Sequence, residues 1–186
     1  MSETIADLSG GEIGLVQACI GVGSILGLAV GGTLADRPRT RRHLLWLFGV
    51  IGVTQLSFTI LSRSTGTPDL SYAPFLATSV LFGAAALFAI GPIQQKRLIG
   101  AAPDQRMVAF ALHGTSIFLG QSAGAALGAA TTGIAGLEWT GAAGSVAVVM
   151  GAVFLLVTAR PVPVRTLPAL NAATAPSDSE EGFEGR

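Results

Sequence analysis

The stretch IGLVQACIGVGSILGLAVGGTLA at 13–35, followed at once by DRPRTRRH at 36–43, decides what kind of protein this is. Its first part holds no Asp, Glu, Lys or Arg. A helix of that length, at about 1.5 Å per residue, crosses a hydrocarbon layer of about 30 Å. The second part is densely basic, as the edge of a lipid layer requires. Four more runs without these charged residues follow, at 44–62, 70–95, 107–137 and 139–159. Inside lipid every backbone N–H and C=O must be paired within the chain, so each run is read as a helix. The fourth run exceeds one crossing, and its helix is expected to stop at 131–133, with a short loop to Trp139.

Composition points the same way. Of the 186 residues 50% are hydrophobic and 12% charged, with a mean hydropathy of +0.62. Soluble domains carry roughly 25% charged residues. The 25 glycines would weaken a soluble core, whereas between membrane helices small residues allow close approach. A net charge of zero gives no footprint for nucleic acid. One cysteine, Cys19, excludes a disulfide framework and a cysteine-based metal site, and no cofactor is expected. Residues 1–12 carry acids where a signal peptide carries bases, so the first run is expected to stay in the mature protein.

The connections sort by charge. Arg37, Arg39, Arg41, Arg42 and His43 lie between the first two runs, and Lys96, Arg97, Asp104 and Arg106 between the third and fourth. The other connections hold Arg63 and Asp69, and Glu138. By the positive-inside rule the N-terminus lies outside and the C-terminus in the cytoplasm. The domain reading is therefore an extracytoplasmic segment at 1–12, a five-helix membrane domain at 13–160 and a tail at 161–186. That tail, rich in Pro, Ala, Ser and Glu, is expected to be disordered.

Two small-residue stripes stand out. Gly23, Gly27 and Gly31 share one face of the first span, and Gly120, Gly124 and Gly128 one face of the fourth. Each is a place for a second backbone, within this bundle or on another. His113 shares the second face. An ionisable group within a span is a candidate proton carrier, and the plainer reading is a hydrogen-bonded helix contact. Gln17, Gln55 and Gln121 either bond substrate or brace helices, since a buried amide without a partner costs roughly 2–7 kcal/mol. Trp46, Tyr72 and Trp139 sit where interfacial anchors belong.

Gly32-Thr33-Leu34-Ala35-Asp36-Arg37-Pro38-Arg39-Thr40-Arg41-Arg42 resembles the signature loop of the major facilitator superfamily, G-x-L-A-D-R-x-G-R-[RK]-x. Gly32, Leu34, Ala35, Asp36, Arg37 and Arg41 match. Arg39 stands where a glycine is usual, and Thr40 where an arginine is. The segments 91–104 and 111–128 are similar to the junction of helices ten and eleven, and to helix eleven, in the drug and sugar efflux branch. The resemblance covers about residues 8–160 and makes the five spans helices eight to twelve of a twelve-helix, two-half fold. It implies alternating access around a site between the halves, with an N-terminal half supplied elsewhere as partner. It also implies that Asp36 joins a cytoplasmic charge network closing the inner gate. The glycine faces of spans one and four are then where helices eight and eleven meet the other half. Without that role, Asp36 and the arginines set topology and meet lipid phosphates.

The expected function is thus secondary efflux of small drug-like or sugar-like molecules, proton-coupled, across the cell inner membrane. The alternative is a non-transporting remnant or assembly module. An intramembrane enzyme is disfavoured: Ser24 is followed by Ile25 and Leu26 rather than by a protease-like Gly, and Asp36 stands alone where a metal-dependent transferase needs several aspartates.

Overall fold

The computed structural model describes residues 10–64 and 73–158. Helix α1 spans Gly10–Ala35, α2 Thr40–Ser64, α3 Ala73–Ala101, α4 Arg106–Ala135 and α5 Thr140–Thr158. Single 3-10 turns at Pro103–Gln105 and Leu137–Trp139 lead into α4 and α5. No strand occurs among the described residues. The tail at 161–186, most of the segment at 1–12, and Tyr72 lie outside them.

Among the described residues four helical stretches are long and apolar enough to cross a membrane: Gly14–Ala35, Thr40–Arg63, Pro74–Ala101 and Leu137–Thr158. Helix α4 is also long, 30 residues, but it carries His113, Gln121 and a series of hydroxyls, and it is not among the four. Those hydroxyls are satisfied within the helix. Thr115, Ser116, Ser122, Thr131 and Thr132 each donate to the carbonyl four residues earlier, at 2.8–3.0 Å.

Helix α4 continues to Ala135, a little past the expected stop. The larger difference is α3, which runs on from Gln95 through Lys96 and Arg97 to Ala101 and includes Pro92. An apolar run marks lipid depth rather than helix length, and a helix is free to rise into the headgroups. The lost N–H of Pro92 is tolerated because packed neighbours hold the helix.

The bundle is built around two helix pairs, α1 on α3 and α2 on α5, joined by α2 against α3. Its core is small: Ala35, Leu44, Leu47, Ile51, Ala86, Ala89, Ile93 and Leu155. Large apolar side chains point outward instead. Trp46, Val53, Leu87, Phe118, Phe154 and Val157 are each more than half exposed. A soluble protein buries such groups, so a core this small with so many large apolar side chains outside identifies lipid as the solvent.

The glycine face of α1 explains the first pair. A Cβ built on Gly23 would stand 2.6 Å from the Leu81 carbonyl oxygen, and those on Gly27 and Gly31 would overlap the carbonyls of Ala85 and Ala89. Residues 81, 85 and 89 form one ridge of α3, so backbone lies directly on backbone. The second pair meets at Gly141, whose missing Cβ makes room for the Gln55 carbonyl and for Thr59 Oγ1. Ser145 Oγ adds a bond across it to the Gly52 carbonyl, at 3.1 Å.

Candidate functional site

The loop at 36–39 brings three helix ends together. Asp36, just past the C-terminus of α1, accepts a hydrogen bond from Lys96 Nζ of α3 at 2.6 Å. An aspartate at the end of its own helix is opposed by the dipole, and the ammonium from α3 compensates it. Both groups are exposed, so the pair is one that water and salt weaken. Arg41, in the first turn of α2, donates from Nη2 to the Leu156 carbonyl near the end of α5, at 2.7 Å. That carbonyl lies in the last turn of α5, where acceptors lack a helical partner and a cation is favoured.

Arg39 holds a left-handed backbone, with φ of 66°. Its carbonyl accepts from the N–H groups of Arg42 and His43 at 2.8 and 3.4 Å, and this starts α2. The position is the one at which the signature loop usually has glycine, and the sign of φ is the physical reason for that preference. Arg37, Arg39 and Arg42 surround a small pocket together with His43, whose Nδ1 is shut off from solvent and has no hydrogen-bond partner. Gly32, one turn earlier, opens onto free space.

At the opposite end Arg63 of α2 lies over the Trp139 ring, 4.5 Å from its centroid. Helix α2 is therefore clasped to α5 at one end, by Arg41 on Leu156, and to the 3-10 turn leading into α5 at the other, by Arg63 on Trp139. Neither contact is readable from local sequence, since each joins residues far apart in the chain.

The polar residues of the spans are not brought together. Gln17 of α1 and Gln121 of α4 are exposed, and His113 of α4 is half-buried. Gln55 lays its side chain over the space left by Gly144 of α5, 3.4–3.6 Å from where a Cβ would be. Gln55 is exposed as well, and that placement puts it at the contact of α2 with α5. The two glycine faces also differ. Gly23, Gly27 and Gly31 are occupied by α3, so this surface of α1 is not free for another bundle. Around Gly120, Gly124 and Gly128 no atom comes within 4 Å of a built Cβ. Only Ala109 of α4 is buried. Two contributors were missed in the sequence: Lys96, read only as a topology charge, and the small set Gly141, Gly144 and Ser145, whose spacing of three and four was the available signal.

No curated protein and no solved structure matches the chain. A model of the Major Facilitator Superfamily matches residues 2–180, nearly the whole length. With five long helices among the described residues, glycine-mediated contacts between them, large apolar side chains outside and a signature loop pinned by Asp36, the chain is a multi-pass membrane protein and belongs to the major facilitator superfamily, a family of transporters.

Proposed function

We propose that these five helices are helices eight to twelve of a secondary transporter, most of its C-terminal half, exporting small drug-like or sugar-like molecules by alternating access in exchange for protons. The observation that carries this reading is α4. It has polar side chains, an open row of glycines and almost no buried surface. A helix of that kind is unsuited to lipid on all sides and suited to a polar pathway shared with a second bundle. His113 and Gln121 are the residues of α4 placed to meet substrate or proton there.

The second half is then the partner against which the bundle rocks. The Asp36–Lys96 pair belongs to the gate, since a water-exposed ion pair is easily broken and remade as two halves move. The arginine-rich end faces the cytoplasm of the cell inner membrane, which puts the N-terminus outside.

The test is efflux from vesicles of the protein purified with whatever second bundle accompanies it. Asp36→Asn is expected to slow efflux about five- to tenfold. His113→Ala should abolish its dependence on a proton gradient. Unchanged efflux in both variants removes these residues from the mechanism, and a chain that never moves solute is a membrane module rather than a transporter.

A further inference from the structure

Two hollows meet at the arginine-rich end. The first, of about 280 Å³, is bordered by Arg37, Arg39, Arg42 and His43. The second is an open groove of about 650 Å³ running along α2 beside α3, with Leu45, Gly49, Val50, Val53 and Phe82 on its walls. Arg42 and Trp46 border both, so the two adjoin at these side chains.

We propose that together they bind one anionic phospholipid, with the phosphodiester headgroup among Arg37, Arg39 and Arg42 and an acyl chain in the α2–α3 groove. Among the described residues none of these three arginines is ion-paired with a carboxylate, and Asp36, beside Arg37 in the chain, is engaged by Lys96. Three guanidiniums around one hollow repel each other until an anion arrives, and guanidinium forks suit phosphate oxygens.

The groove says which anion. From Arg42 to Thr54 it extends along α2 for about 18 Å, close to the ~15 Å of one hydrocarbon leaflet. Its walls are apolar, and a dissolved phosphate gains nothing from them. Trp46, 72% exposed, sits where the two hollows join, at the depth of an interfacial anchor. Gly49 leaves the groove open, since a Cβ there meets nothing within 4 Å. The proposal needs only a membrane-embedded bundle, so failed transport and failed lipid binding are separate results.

The test is native mass spectrometry of the full chain, extracted in mild detergent and stripped of lipid. It is then offered phosphatidylglycerol, phosphatidylcholine with the same acyl chains, or inorganic phosphate. Retention of one phosphatidylglycerol, about tenfold over phosphatidylcholine, is expected. Gly49→Phe, which fills the groove and leaves every charge in place, should cut that retention about tenfold, as should the double variant Arg37→Gln/Arg39→Gln. Circular dichroism confirms that each variant is folded, and either one alone suffices as the control. Equal retention of the two lipids overturns the proposal. So does undiminished retention in the folded variants, or displacement of phosphatidylglycerol by inorganic phosphate, which would mark a site for a soluble anion.

Discussion

Asp36 and Lys96 are sixty residues apart in the chain and 2.6 Å apart in space, tying the loop after α1 to the last turns of α3. The contact is exposed on both sides. An exposed pair of this kind contributes about 0–1 kcal/mol, too little to hold the bundle together and suited to being opened. Asp36→Asn should therefore leave thermal unfolding in detergent nearly unchanged while slowing efflux. The charge exchange Asp36→Lys with Lys96→Asp should restore part of the rate. A large loss of stability in Asp36→Asn would show the pair to be structural.

The two glycine faces should respond in opposite ways. Gly27→Leu drives a side chain into the backbone of α3 at Ala85 and should cost about 3 kcal/mol, because backbone cannot yield as a side chain can. Gly124→Leu meets open space and should leave the stability of the five-helix bundle within about 0.5 kcal/mol. Denaturant titration of both variants in detergent measures the difference. Equal destabilisation would mean that α4 packs as closely as α1.

Arg39→Gly removes a side chain from a left-handed residue, a conformation costing non-glycine residues roughly 1–2 kcal/mol. Part of that gain is offset by the greater freedom of glycine in the unfolded chain. The expected result is a net stabilisation of about 0.5 kcal/mol together with weaker retention of phosphatidylglycerol. Stability and lipid binding moving in opposite directions separate backbone relief from loss of charge.

Arg41→Gln takes the cation from the end of α5 and should destabilise the bundle by about 1 kcal/mol. Hydrogen exchange at the last turn of α5 should rise, with little change in α1 or α3. Exchange that stays unchanged at 155–158 would show that Arg41 does not cap this helix.

Much of the fold was legible because charge is so costly in lipid. The five runs and the basic loops between them mark out the helices, and Asp36 with its neighbours carried the family resemblance. The limits lay where distance along the chain hides distance in space. A four-residue glycine spacing shows that α1 has a close-packing face, yet only the complementary ridge at Leu81, Ala85 and Ala89 decides that α3 fills it. Lys96 looked like one more topology charge until α3 carried it, still helical, above the apolar run. Gln55 fitted equally a substrate contact or a brace, and its place beside Gly144 of α5 depends on a residue far along the chain. Small residues on α5 were overlooked because its strong hydropathy already explained it as a span.

The most direct test of the central claim is to recover the protein from native membranes with an antibody to residues 176–186, and to weigh what comes with it. A second helical bundle should be present, either in one polypeptide of about twice 18.8 kDa or as a co-purifying partner released by Gly124→Leu. Recovery of the 18.8 kDa chain alone, with no solute movement in vesicles, would contradict the reading of these helices as half of a transporter.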